Sequence, residues 1–129
     1  QRQMCIRDSA KDAKLKMQLL ENTLAKNELN VGKFYLKKGA PGSSIKRFKS
    51  ILQNYQNTSV IPETLYRLSE ALLMLGLKDE ATKSNALLDY NFPKNDWTKL
   101  SKTLLKNESE LNQQKDNKFS IINYFKDFF

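Results

Sequence analysis

The stretch LNVGKFYLKKGAPGSSIKRFKSILQNYQNT, from Leu29 to Thr58, decides the fold. Apolar residues at helical spacing lie before its Gly-Ala-Pro-Gly segment, and a second apolar run lies after it. The two runs consist of Val31, Phe34 and Tyr35, and then of Ile45, Phe48, Ile51, Leu52 and Tyr55. Glycine and proline together interrupt regular structure. The stretch therefore predicts a helix, a tight turn and a second helix.

The same pattern returns 37 positions later. Apolar residues from Ile61 share one helical face up to Gly76, and a further run that includes Ala81, Leu87 and Leu88 ends at Pro93. The aligned pairs are Gly32 with Ser69, Tyr35 with Leu72, Ser44 with Ala81, and Gln56 with Pro93. A constant offset indicates a structural repeat rather than two unrelated hairpins.

Tetratricopeptide repeats have this form, with two antiparallel helices in about 34 residues. Small residues are needed where the two helices touch, and a proline near the end of the repeat stops its second helix. We therefore predict an all-α, tetratricopeptide-like array of helical hairpins, with an unrelated bundle of amphipathic helices as the alternative. The predicted packing residues are Gly32, Tyr35, Ser44, Phe48, Ser69, Leu72, Ala81 and Pro93.

The remaining segments divide the chain into four parts. Residues 1–9 are expected to be a non-native or disordered leader, residues 10–106 to hold the repeats, residues 107–118 to form a polar linker, and residues 119–129 to form an amphipathic aromatic tail. Cys5, in the leader, is assigned no role. Since helical hairpins bury their apolar faces against neighbours, we expect further repeats outside this chain.

The ends of the repeat region have their own signals. A long helix is predicted from Ala10 to Lys38, with Gly39 as its cap. After Pro93, Asp96 is the predicted N-cap of a short capping helix over residues 97–106. The residues expected to cover the end of the array are Trp97, Leu100, Leu104 and Leu105.

The net charge of +8 lies entirely in the first part of the chain. Residues 1–60 carry 12 Lys and Arg against 4 Asp and Glu, whereas residues 61–129 carry 10 of each. Such a basic half suits nucleic acid, acidic lipid or an acidic protein face, and a solvated lysine-rich surface is the alternative. The cluster beside the first turn consists of Lys33, Lys37, Lys38, Lys46, Arg47 and Lys49. Within it, Arg47 suits a bidentate bond to a carboxylate, either on a partner or within its own array.

Residue types needed for common catalytic sites are missing. The chain has no histidine, which removes the usual general base, and a single cysteine, which excludes an internal disulfide. Gly39 and Gly42 have no preceding strand, so they do not form a phosphate-binding loop. We predict a non-enzymatic protein without a metal or a cofactor.

Several motifs together resemble those of one known family. They are LNVGKFYLKKG, then SSIKRFKSILQNYQNTSVIPETLYRLSEALLMLGLKDEA, and then LLDYNFPKNDW, within the region Leu24 to Leu105. In this order they resemble the last two repeats of the BamD family (formerly ComL) of outer-membrane assembly lipoproteins. Ser43 and Ser44 stand where relatives often have alanines.

The resemblance implies a scaffold subunit of the machinery that assembles β-barrels, held by lipid at the periplasmic face of the outer membrane in a Gram-negative bacterium. It also implies that these repeats dock onto the POTRA region of the barrel subunit BamA and onto small lipoprotein subunits. Unfolded outer-membrane proteins would bind through N-terminal repeats that this chain lacks, as it lacks the lipid-bearing cysteine. The arginine of the A-I-x-R-F motif falls on Arg47. The predicted partner-binding residues are therefore Arg47, Lys46, Lys49, Lys37 and Lys38.

Two other functions fit the composition. A basic helical nucleic-acid-binding protein would show affinity that falls steeply with salt. A generic tetratricopeptide adaptor would bind peptides with the same fold. We favour the scaffold, without nucleic acid as a partner, because the aromatic residues lie mainly at core spacing rather than among the basic residues.

Overall fold

The structure is a computed structural model that describes residues 2–110, with side chains from residue 8 onward. Within this range it is built from helices joined by turns. The helices are α1 (Arg2–Lys37), α2 (Pro41–Asn54), α3 (Ile61–Met74), α4 (Lys78–Asn91) and α5 (residues 96–110). α1 pairs with α2, α3 pairs with α4, and α2 also packs against α3, so the two hairpins stack in chain order. The predicted all-α repeat fold is confirmed.

Both hairpins turn on a glycine in the left-handed conformation. Gly39 has φ +77° and Gly76 has φ +79°, values that residues with a Cβ atom rarely adopt. At the first turn the Gly39 amide donates to the Leu36 carbonyl, and the Ala40 amide donates to the Tyr35 carbonyl at 2.9 Å. The second turn repeats both bonds 37 positions later. The two turns are therefore the same Schellman motif, and they fix the repeat register.

The first hairpin closes where Gly32 of α1 meets the ring of Phe48 on α2. A Cβ atom added at Gly32 would overlap that ring, so only glycine fits without a shift. The Ser44 hydroxyl donates to the Gly32 carbonyl at 2.9 Å, and Ser44 and Phe48 are both fully buried. This contact sets the distance between α1 and α2.

The second hairpin closes with a polar version of the same contact. The equivalents of Gly32 and Phe48 are Ser69 and Asn85, and the Ser69 hydroxyl donates to Asn85 Oδ1 at 2.7 Å. Both side chains are buried. Within the described residues, Asn85 Nδ2 is buried without a hydrogen-bond partner. Ala81 and Leu72, two other predicted packing residues, are also buried.

The apolar run that predicts α1 is not the face that the helix buries. Ala25, Leu29 and Gly32 are buried, whereas Val31 and Phe34 are 37% and 52% exposed. Their face lies on the other side of the helix, because α2 can approach only where Gly32 leaves room. Tyr35 is half-buried. α1 is also a single α-helix that begins at Arg2, within the predicted leader.

The C-terminal helix differs in three ways from the predicted one. Asn95 rather than Asp96 caps it, with Asn95 Oδ1 accepting from the Trp97 amide at 3.1 Å. The helix continues through residue 110, into the segment predicted to be a linker. Thr98 and Ser101 fill its buried face at 1% exposure each, since small residues allow close packing, while Leu100 is 47% exposed. Trp97 packs against the core.

Other predicted residues lie outside the core or outside the described range. Pro93 is exposed in the turn after α4, so it ends the helix but makes no packing contact in the core. Leu87 is 53% exposed. The side chain of Cys5, residues 111–118 of the linker and the tail 119–129 lie outside the described residues.

The contact at Gly32 predicts a difference between two glycine substitutions. Gly32→Ala should lower the unfolding free energy by about 1 to 3 kcal/mol, because the new methyl group forces the Phe48 ring to move. Gly42→Ala, in the first turn of α2 with no atom within 4 Å of the new Cβ, should leave it unchanged or raise it by up to about 1 kcal/mol. Urea unfolding of both variants measures the difference. Equal stability of the two variants would contradict the close contact.

Candidate interaction surfaces

An ion pair joins the two helices of the first hairpin at its outer edge. Arg47 Nη1 on α2 lies 3.1 Å from Glu28 Oε2 and 3.3 Å from Glu28 Oε1 on α1. The side chains are 45% and 30% exposed. The internal partner of Arg47 that the sequence left open is therefore present, and the guanidinium remains accessible to solvent.

The residues of this edge differ in burial from the equivalent residues of the second hairpin. Moving 37 positions along the chain takes Glu28 to Leu65 and Arg47 to Ser84. Leu65 is 3% exposed and Ser84 is 7% exposed. The same two positions are thus buried in the second hairpin and occupied by an accessible charged pair in the first.

An apolar face of α1 lies beside the ion pair. Its residues are also exposed, whereas their equivalents in α3 are buried. Leu24, Val31 and Phe34 are 42%, 37% and 52% exposed. The equivalent residues of α3 are Ile61, Leu68 and Ala71, at 8%, 4% and 0%. In α3, Ser69 marks the face that meets α4, and α2 packs against α3 from the preceding hairpin. The exposed face of α1 therefore corresponds to a face that another hairpin covers in α3.

We call the Arg47–Glu28 pair and the exposed Leu24, Val31 and Phe34 the open edge. Large exposed apolar residues next to an arginine are typical of protein interfaces. Sequence reasoning identified Arg47, but it used Val31 and Phe34 only as the apolar stripe that predicts the first helix. The edge could have been found by comparing each residue with its equivalent 37 positions later in the chain. At the edge, the first repeat has a charged residue where the second has an apolar or small one.

The predicted basic cluster does not form a single patch. Lys46 and Lys49 are exposed on α2, beside Arg47 in sequence. The Lys38 ammonium group lies 4.6 Å from the centre of the Phe34 ring, which places Lys38 next to the open edge. Lys37 lines a separate groove between α1 and α3.

This groove has a volume of about 370 Å³ and runs along the other side of α1. Its lining residues are Lys33, Leu36, Lys37, Arg67, Glu70 and Met74. Lys33 Nζ lies 2.9 Å from Glu63 Oε1, and Arg67 Nη1 lies 2.9 Å from Glu70 Oε2. The charges in the middle of the groove are therefore paired with one another.

Arg67, which lines the groove, also contacts two aromatic rings outside it. The rings of Tyr66 and Trp97 lie 5.3 Å apart, and the Arg67 guanidinium lies 5.5 Å and 5.7 Å from their centres. Burial raises the pKa of Tyr66, with a further increase from Glu70 and an opposing effect of Arg67. Tyr66 is thus a neutral phenol at physiological pH. Sequence reasoning missed this arrangement, because residues 66, 67 and 97 come together only through stacking of the helices.

In the described part of the chain, no group of three or more His, Cys, Asp or Glu residues is arranged to hold a metal ion. No helix among residues 2–110 is long and apolar enough to cross a membrane.

Comparison with known proteins places the array in a family. The fold defines a helical-repeat protein of the tetratricopeptide type. A sequence model of the YfiO family, described as an outer membrane lipoprotein, matches residues 8–87. The chain therefore belongs to the YfiO family.

Several curated relatives share its sequence, and each is named outer membrane protein assembly factor BamD. The protein from Rickettsia prowazekii (strain Madrid E) is 45% identical over 96 residues, which is 74% of this chain and 38% of the relative. The protein from Caulobacter vibrioides is 44% identical over 88 residues, 68% of this chain and 29% of the relative. The protein from Neisseria meningitidis serogroup A is 36% identical over 85 residues, 66% of this chain and 32% of the relative. The chain thus spans roughly a third of the length of these relatives.

The accessible ion pair should contribute little to folding. Arg47→Ala is expected to lower the unfolding free energy by less than about 1 kcal/mol, because water screens a pair with side chains 45% and 30% exposed. Urea unfolding at low and high salt measures the effect, which should shrink with salt. A loss of several kcal/mol would show instead that Arg47 belongs to the core.

Proposed function

We propose that this chain acts in the assembly of outer-membrane proteins, as a non-catalytic scaffold at the periplasmic face of the outer membrane. The relatives support this role, since proteins up to 45% identical to the chain carry the name of an outer-membrane protein assembly factor. We further propose that the open edge docks onto the POTRA region of the barrel subunit BamA. Small lipoprotein subunits of the same machinery are additional proposed partners.

The observation that carries the docking proposal is the exposed state of the Arg47–Glu28 pair. Its equivalents Leu65 and Ser84 are buried, so the fold covers these positions when a neighbour is present. A carboxylate of the partner can approach Arg47 without opening the core, because its side chain is 45% exposed. The guanidinium carries enough donors to bind Glu28 and a second carboxylate together.

The apolar part of the open edge supplies the non-polar contact that such an interface needs. Leu24, Val31 and Phe34 lie on one face of α1, and burying an exposed large side chain is worth about 1.5 to 3 kcal/mol. Lys38 above the Phe34 ring adds a positive charge at its margin. An acidic surface with an apolar centre is therefore the partner that we propose for this edge.

The part of the apolar face nearest the start of α1 has a second proposed neighbour. Repeats outside this chain, which we propose recognise unfolded outer-membrane proteins, would cover Leu24 in the way that α2 packs against α3. The hairpins described here stack in this manner. The partner would then contact mainly the side of the edge around Arg47.

Reversal of the charge at Arg47 tests the docking. Arg47→Glu should weaken binding of the POTRA region of BamA from the same source by about 2 to 5 kcal/mol if the partner buries the pair, because two carboxylates would then face each other. Binding of the purified chain is measured by calorimetry, with circular dichroism to verify that the variant is folded.

The matched control is Lys83→Glu, which makes the same charge change at an exposed position of α4. It should alter affinity only slightly, through the general charge of the chain. Equal effects of Arg47→Glu and Lys83→Glu would place the contact elsewhere. A folded chain that fails to bind the POTRA region at all would contradict the proposed docking by this part of the protein.

A further inference from the structure

We infer that Glu28 is a positioning residue of the open edge, which holds the Arg47 side chain in the direction in which a carboxylate of the POTRA region binds it. The inference rests on the docking proposed above, and it adds a residue that acts without touching the partner. Because Glu28 acts through Arg47, its effect on binding should disappear when Arg47 is replaced.

The contact between Glu28 and Arg47 uses one nitrogen of the guanidinium. Both oxygens of Glu28 accept from Arg47 Nη1, at 3.1 Å and 3.3 Å. Within residues 8–110, the Nε and Nη2 atoms of Arg47 donate to no other group. These two atoms form one edge of the planar guanidinium, and such an edge binds a carboxylate through two parallel hydrogen bonds. Glu28 therefore holds the guanidinium without occupying the edge that a second carboxylate needs.

The two side chains project from different helices, which makes Glu28 an anchor for Arg47. Glu28 lies on α1 and Arg47 on α2, and the contact of Gly32 with the Phe48 ring sets the distance between these helices. A long side chain that is 45% exposed has many rotamers to lose when a partner binds it. A carboxylate fixed on the neighbouring helix removes much of this freedom beforehand, so less is lost on binding.

The fold does not require a carboxylate at this position. The equivalent residue of the second hairpin is Leu65, which is 3% exposed, so an apolar side chain serves the packing there. Glu28 is 30% exposed, and an ion pair this accessible adds little to stability. What the carboxylate does provide is a direction for Arg47.

The charge of Glu28 also has an opposing effect, since it repels a second carboxylate. Two cations at the open edge offset this repulsion. The Lys38 ammonium group lies over the Phe34 ring, and Lys46 precedes Arg47 on the exposed side of α2. Neither lysine forms an ion pair among the residues that the structure describes. We therefore expect the restraint of Arg47 to outweigh the repulsion.

Removing the charge of Glu28 while keeping its size tests the inference. Glu28→Gln should weaken binding of the POTRA region of BamA from the same source about threefold to tenfold, which corresponds to ordering one long side chain on binding. Calorimetry with the purified chain measures the affinity. The matched control is Glu80→Gln, the same change at an exposed position in the first turn of α4, and it should keep the affinity within about twofold.

Two further measurements separate positioning from a structural role. In a chain that carries Arg47→Ala, adding Glu28→Gln should change the affinity no further. In the chain without a partner, the Nε–H group of Arg47 should be ordered by NMR relaxation and become more mobile in Glu28→Gln. The urea midpoint of Glu28→Gln should stay close to that of the parent, because the pair is accessible.

The outcomes distinguish the inference from the docking proposal. Tighter binding by Glu28→Gln would overturn the inference, because Glu28 would then compete with the partner for Arg47. An equally large loss in the Arg47→Ala chain would also overturn it, since Glu28 would then contact the partner directly. If the parent binds and Glu28→Gln binds equally well, the positioning role alone is wrong. A folded parent chain that does not bind the POTRA region would overturn the docking and the positioning role together.

Discussion

The contact between Gly32 and the Phe48 ring is the constraint on which the rest of this array depends. It decides how closely α2 approaches α1, and hence which face of α1 is buried. Once Ala25 and Leu29 turn inward with Gly32, the residues on the other faces of α1 have fixed directions. Leu24, Val31 and Phe34 then form the open edge with the Arg47–Glu28 pair, and Lys37 points to the groove against α3. The positions of the open edge and of the groove between α1 and α3 therefore both depend on the absence of a side chain at Gly32.

The two hairpins show that the repeat conserves geometry rather than chemistry. The apolar contact of Gly32 with Phe48 becomes the hydrogen bond of Ser69 with Asn85, at the same two positions. The charged pair of Glu28 with Arg47 becomes the buried Leu65 and Ser84. Because the backbone geometry of the two hairpins is the same, a difference between equivalent residues reflects a difference in what packs against each of them. A position that is apolar and buried in one repeat, but charged and accessible in the other, indicates a surface that does not pack against a neighbouring hairpin of the described array.

Much of the fold could be predicted from sequence, because the turns are encoded locally. Gly39 and Gly76 provide the left-handed residues of two identical caps, and Pro41 and Pro62 lie in the first turns of the helices that follow. The offset of 37 between the repeats then gave the stacking of the hairpins.

The buried face of a long amphipathic helix was harder to predict, since α1 has apolar residues on two faces. Val31 and Phe34 form the more hydrophobic stripe, yet the helix packs through the smaller Ala25 and Gly32. The prediction for the capping helix was wrong for the same reason, since Thr98 and Ser101 are buried and Leu100 is accessible. In both cases close approach of backbones outweighed the hydrophobicity of single side chains, and sequence periodicity does not record that preference. The Arg47–Glu28 pair and the Arg67 contacts with Tyr66 and Trp97 depend on such packing and were therefore not predictable as pairs.

The central claim is that the open edge meets a partner in the assembly machinery. Photo-crosslinking tests it most directly, with a photoreactive amino acid placed at Lys46, beside Arg47 on the exposed side of α2, and in a second variant at Lys83 on α4. Our account predicts a crosslink from position 46 to the POTRA region of BamA in the assembled complex, and none from position 83. A crosslink from position 83 without one from position 46 would contradict it.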